Sequence, residues 1–346
     1  MSDWQRPTPP PDESPQRTYW SRSSTSDPLS PGQLIRRAWR HYQSAPRRFL
    51  LVAIIPETLR GLLALPGLVA AVLVAQATFD VIADFFARVA ANPDAYRDPN
   101  SQALQTELES QLRAATLPHT DLAALTAVGG GAGIVVGLIG TCALIAAALA
   151  AASGQRISVG GAFRLVASRG ALLKPILAIG IGGGLVSWVP VTVQASTGFQ
   201  TWAGVPGSPR SVLLASLLAV FALVFVVAIV VMAVRWALYI PAVLVEGLGV
   251  GAGLARAAEL SHGIRIRLCL ATAGIVILQG LIVGIAAAPI GLGVGLAARS
   301  VAAGVWAFLL SSLFGSLLWA PLLPSMLALA YRERSRGAAS ESTAST

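Results

Sequence analysis

The sequence predicts an all-α protein, a polytopic integral membrane helical bundle of about six spans, and three observations carry that reading. Hydrophobic residues make up 55% of the 346, only 12% are charged, and mean hydropathy is +0.68. That is too apolar for a domain that must clothe a water-facing surface in charge. Several runs also hold the roughly 20 consecutive apolar residues a helix needs to cross about 30 Å of hydrocarbon. These runs are unbroken blocks of Leu, Ala, Val and Gly rather than short strands of alternating polarity. Their backbone must therefore satisfy itself as helix, which excludes a membrane β-barrel.

Residues 1–28 are Pro- and Ser-rich and cannot bury enough apolar surface to offset their ordering entropy, so they read as a disordered cytoplasmic tail. Within it, TPPPDESP reads as a solvated stretch, or alternatively as a docking peptide for a partner. No early hydrophobic region marks a secretory signal, and insertion falls to the later spans. A helical membrane domain follows over 29–334, and 335–346 forms a second cytoplasmic tail. The spans are expected at 49–79, 122–152, 171–193, 212–234 with a tail to 245, 268–298, and 301–330. Arg235 interrupts the fourth, and Trp236, Tyr239 and Pro241 bend its tail into the interface. The acidic segment 80–121 has Val81, Ile82, Phe85, Phe86 and Val89 at helical spacing, then Leu104, Leu108 and Leu112 beyond Pro99. Two short helices over the outer face are expected there, acting as an amphipathic covering or as a substrate lid.

Charge fixes the orientation. Of the 25 Lys and Arg, 19 fall on one side, counting Lys174 at that end of the third span, and 5 on the other, with Arg60 inside the first span. The positive-inside rule then puts both termini in the cytoplasm. Lys174 is the only lysine, a bias toward Arg that we read as the mark of a GC-rich bacterial genome. The expected location is therefore a bacterial plasma membrane, crossed several times. Cys142 and Cys269 both fall in spans, which supports neither a disulfide framework nor a zinc cluster.

Three cytoplasmic stretches align: LSPGQLIRRAWRHY from Leu29, ISVGGAFRLVASRG from Ile157, and LGVGAGLARAAELSHG from Leu248. Ser30 and Ser158 can cap helix N-termini, and Gly249 takes the same place in the third copy. Each copy runs into two spans, so the chain reads as three tandem units of amphipathic helix plus transmembrane hairpin. In the first copy Leu34, Ile35, Ala38, Trp39 and Tyr42 share one face, with Arg36, Arg37 and Arg40 opposite, the pattern of an interfacial helix on anionic headgroups.

LSPGQLIRRAWRHYQSAPRRFLLVAIIP, YIPAVLVEGLGVGAGLARAAELSHGIRIR and the ending PLLPSMLALAYRERSR together resemble the bacterial glycerophosphoryl diester phosphodiesterase membrane-domain family. The likeness covers most of the chain from Leu29 to Arg336. Glu246 fits the family's third cytoplasmic element, but Ala257 stands where that element usually has Ser. Tyr331, Arg332, Glu333 and Arg334 approximate the family's ending. The resemblance implies a multi-helix membrane module. It implies no catalysis, because a phosphodiesterase barrel would need roughly 200 further residues carrying His and carboxylate metal ligands.

The residues point the same way. His41, His119 and His262 fall on opposite sides of the bilayer and cannot share a metal or a triad. No nucleophile elbow, zinc-protease helix or Walker loop appears, so neither an enzyme nor a cofactor is expected. Ser311, Ser312 and Ser316 and the Gly133–Gly137, Gly180–Gly184, Gly280–Gly284 and Gly291–Gly295 pairs read as helix-packing positions.

Ionisable side chains at membrane depth are functional candidates. Glu57 and Arg60, at i and i+3 beside Pro56, either neutralise one another or line a polar cavity. Arg235, Glu246, Arg256, Arg265 and Arg267 cluster at the cytoplasmic interface. That cluster serves either headgroup binding or ordinary topology determination. Scattered basic charge without a soluble module argues against nucleic acid. The function expected is a non-enzymatic module that organises lipids, anionic ones foremost, or partners such as a membrane protein or a second copy. A transporter for a small solute or lipid is the alternative.

Overall fold

The structure, a computed structural model, describes residues 30–91, 120–195 and 234–344 together with isolated positions between them. Among these all regular structure is helical: α1 (Pro31–Ser44), α2 (Pro46–Ala91), α3 (Thr120–Ala152), α4 (Val159–Ala167), α5 (Gly170–Ala195), α6 (Tyr239–Glu246), α7 (Val250–Ser261), α8 (Arg265–Ala298), α9 (Val301–Trp319) and α10 (Leu322–Ala344). Four helical stretches are long and apolar enough to cross a membrane. The number rises to six if each of two bent pairs is one span, α4 with α5 at 84° and α6 with α7 at 119°. The span expected at 212–234 lies outside the described residues but for isolated positions, as does the tail at 1–28.

The three aligned stretches start their helices in the same way. α1, α4 and α7 each follow an extended residue: Ser30 (φ −65°, ψ 157°), Ser158 (φ −75°, ψ 159°) and Gly249 (φ −68°, ψ 171°). The Gln33 N–H donates to Ser30 Oγ at 3.3 Å and the Ser30 N–H donates to Gln33 Oε1 at 2.9 Å, a reciprocal capping box. Ser158 Oγ accepts from the Gly161 N–H at 3.0 Å. Four and eight residues past each cap the chain is buried: Leu34 and Ala38, Ala162 and Val166, Gly253 and Ala257. Each short helix is thus seated by the same face.

These helices gather with the starts of α2, α5 and α8, the end of α3, and α10 into a dry basal tier. Phe49, Ile145, Leu172, Leu238, Leu268 and Met326 are fully buried there. The elements that the charge count assigns to one side of the membrane meet at this one end. Above it α2, α5 and α8 leave and α3 and α9 return, and large apolar side chains face outward. Leu62 is 60% exposed, Ile285 70% and Leu296 79%, which only a hydrocarbon solvent tolerates in such numbers.

Helices in this apolar half touch through glycine. A Cβ added at Gly131 would lie 2.8 Å from the Gly180 carbonyl oxygen and 3.1 Å from the Gly184 Cα, so α3 crosses α5 backbone to backbone. Gly291 and Gly295 meet Gly304 in the same way between α8 and α9. Gly280 and Gly284 differ from expectation, since an added Cβ at either meets nothing within 4 Å.

Three further differences have local causes. α2 continues through Pro56 and Pro66 to Ala91, roughly 70 Å of helix at 1.5 Å per residue. The first short helix expected in 80–121 is therefore its extension. From the second, Glu107 and Gln111 accept from Arg88 at 2.9 and 2.8 Å. The run at 301–330 breaks at Ala320–Pro321, where proline lacks the N–H that would continue the ladder. The tail expected from 335 is helical as far as Ala344. The bent end of the fourth span is α6, which stops at Gly247 with φ 69°, a left-handed turn suited to glycine.

Candidate functional site

Glu57 and Arg60 lie one turn inside α2 from the basal tier. Arg60 Nη2 stands 2.9 Å from Glu57 Oε2, with Arg60 half exposed and Glu57 only 14% exposed. The contact is one of charge without hydrogen-bond alignment, because Glu57 Oε2 is buried and has no hydrogen-bond partner among the described residues. Gly133 and Gly137 of α3 make room for the arginine. A Cβ at either would come 3.4 or 3.5 Å from the Arg60 stem. Pro56 packs against Gly140 one turn away. The glycines read from sequence as helix-packing positions thus seat a charged side chain on an apolar helix.

The second candidate cluster resolves into a set of bonds that tie the short helices together. Glu246, at the end of α6, accepts from Tyr331 Oη of α10 at 2.8 Å and from Arg256 Nε of α7 at 3.2 Å. Arg256 Nη1 donates onward to Glu259 at 2.9 Å. Arg265 Nη2 donates to the Ala258 carbonyl at 3.2 Å. Arg334 donates to the Leu260 and His262 carbonyls at 3.2 and 3.0 Å. These carbonyls end α7, where unpaired acceptors and the negative pole of the helix favour a cation. Arg169 does the same for α6, donating to Leu244 O at 3.3 Å with its guanidinium against Gly247. Arg235 contributes its backbone carbonyl, which accepts from Ser261 Oγ at 3.0 Å. Arg267 lies two residues beyond Arg265 on α8.

The predicted five residues are thus brought to neighbouring elements, but not into one phosphate fork. Arg256 is held by two carboxylates and Arg265 by a helix terminus. Sequence reasoning gave no part in this network to Glu259 or Arg169. Glu259 stands three residues from Arg256 on one helix, a spacing that could have found it, whereas Arg169 reaches Leu244 across 75 residues and has no such local signal.

His41 was also read as a plain cytoplasmic residue. It is 5% exposed, with Nε2 3.1 Å from the Ala148 carbonyl at the end of α3 and its ring edge-on to Phe49 at 5.7 Å. A carbonyl only accepts, so Nε2 carries the proton and donates. Burial holds the imidazole below its ordinary range; the Ala148 bond opposes that and the positive charge of Arg332 adds to it. The residue clasps α1 to α3 in its neutral form.

No family model, curated protein or solved structure matches this chain. Among the described residues no three His, Cys, Asp or Glu side chains group as metal ligands.

Proposed function

We propose that this chain is a non-enzymatic integral membrane module of a bacterial plasma membrane, both termini cytoplasmic, that organises anionic lipid or partner proteins at the inner leaflet. The observation that carries the reading is the concentration of arginine-bearing short helices at one end of an otherwise apolar bundle. Three short helices that start from matching extended residues, Ser30, Ser158 and Gly249, lie at that end. Cytoplasmic leaflets are anionic, and juxtamembrane basic residues are drawn to them. The likeness of the basic stretches to the glycerophosphoryl diester phosphodiesterase membrane-domain family fits the same proposal. The test is lipid preference. Purified chain reconstituted into vesicles of mixed composition should enrich phosphatidylglycerol over phosphatidylcholine in its annular shell, and equal retention of the two would remove the proposal's support.

One observation favours transport instead. A carboxylate oxygen of Glu57 is buried without a hydrogen bond in the apolar half, and such groups line solute and proton paths in membrane proteins. Solute uptake into proteoliposomes, lost in Glu57→Gln and restored in Glu57→Asp, would establish that reading. Unchanged flux in Glu57→Gln would dispose of it.

A further inference from the structure

The described arginines of the basal tier divide by what holds them. Arg256 is spent on Glu246 and Glu259, Arg265 and Arg334 on the end of α7, and Arg169 on the end of α6. A second group, with Arg47, Arg48 and Arg164, includes Arg36 and Arg40. Both are exposed on the outer face of α1, and no ion pair or hydrogen bond engages their side chains within the described structure. One helical turn apart, they stand on the same face. The opposite face, Leu34, Ala38, His41 and Tyr42, is buried against the bundle, so the pair sits on a fixed mount rather than a loose tail.

Two independent features set the depth of this face. Trp39, between the two arginines, is 36% exposed and stacks at 5.5 Å on Trp319, the last residue of apolar α9. Indoles prefer the boundary between hydrocarbon and water. On neighbouring α2, exposed Arg47 and Arg48 are followed within two turns by Leu51, Ile54 and Ile55, 56%, 45% and 51% exposed. That change from cation to bare aliphatic marks the level where headgroups give way to acyl chains.

We propose that the outer face of α1, Arg36 and Arg40 beside the Trp39–Trp319 stack, is a seat for the phosphate of an anionic membrane phospholipid. Guanidinium forks match phosphate oxygens two at a time, and paired arginines on one helix face can hold one headgroup between them. The inference rests on the lipid-organising reading but moves the contact from Arg256 and Arg265 to α1.

The test uses the full chain in mild detergent, titrated with phosphatidylglycerol or phosphatidylcholine and read by native mass spectrometry. Arg36→Gln with Arg40→Gln should weaken phosphatidylglycerol retention about fivefold for each arginine, near thirtyfold together. Arg36→Lys with Arg40→Lys should retain most of it, which controls for folding. Arg299→Gln at the far end of α8 should leave it unchanged, and millimolar inorganic phosphate should not compete. Undiminished retention in the double glutamine variant, or loss of the bound lipid to free phosphate, overturns the α1 seat while leaving the lipid-organising reading intact. A wild-type chain with no preference for phosphatidylglycerol over phosphatidylcholine overturns both.

Discussion

The basal tier and the apolar half are built by opposite rules, although they share the same helices. In the tier, long side chains meet. Phe49 contacts His41 and Tyr42 at ring-centre distances of 5.7 and 6.0 Å, and arginine side chains finish the carbonyl ends of α6 and α7. In the apolar half side chains are withdrawn, and Gly131, Gly180, Gly291 and Gly304 let backbones touch. Burying apolar surface rewards association only where the alternative is water. Between helices in lipid that reward vanishes and close van der Waals approach replaces it. The contrast matches a chain whose tier borders water and whose other half borders hydrocarbon.

Four measurements break or sharpen that contrast. The largest effect belongs to Phe49→Ala, which empties a fully buried site and should cost about 3–5 kcal/mol of stability, read as a lowered unfolding midpoint of the helical circular dichroism signal in detergent. A loss under about 1 kcal/mol would show that the tier is not packed like a water-facing core. Gly180→Leu comes next. Its side chain must displace Val135 and the Gly131 carbonyl, forcing α3 from α5 at about 1–3 kcal/mol by the same assay. A neutral result would mean that α5 does not depend on that crossing.

Third is pH. Because the folded state holds His41 below its ordinary value near 6.5, it binds fewer protons than the unfolded chain. Its stabilising contribution is complete above that value and declines as pH falls toward the lower folded value. The unfolding midpoint should drop between pH 7 and 5 in the wild type, and less in His41→Gln, which keeps a donor for Ala148 but does not titrate. Equal slopes would clear His41 of the effect. Smallest, and of opposite sign, is Gly280→Ala. Nothing lies within 4 Å of the added Cβ, so the higher helix propensity of alanine should raise stability by up to about 1 kcal/mol. A fall would reveal a neighbour packed against Gly280.

Much of the architecture is written locally. Apolar runs long enough for a bilayer, the arginine imbalance between the two sides, and the caps at Ser30, Ser158 and Gly249 each depend on a few adjacent residues, and sequence inspection finds them. Proline and glycine signals were less dependable. Pro56 and Pro66 lie within a continuous α2, whereas Pro321 sits at a break. The ladder bond a proline removes is made good or not by what packs beside it. Likewise four glycine pairs looked alike, yet three meet a partner and Gly280–Gly284 does not.

The candidate sites divide in the same way. The Glu57–Arg60 pair was legible because both charges lie on one helix turn, and one-turn geometry is a property of sequence. Which arginines find partners among the described residues was not. Arg256 reaches Glu246 ten residues away, Arg334 reaches Leu260 across 74, and His41 meets Ala148 across 107. The sequence by itself determined the helices and which of them are long and apolar enough to span, because hydropathy and caps act over neighbouring residues. Only the tertiary structure decided which arginines finish helix ends and which face outward, because a guanidinium is claimed by whatever carbonyl or carboxylate the packing brings to it.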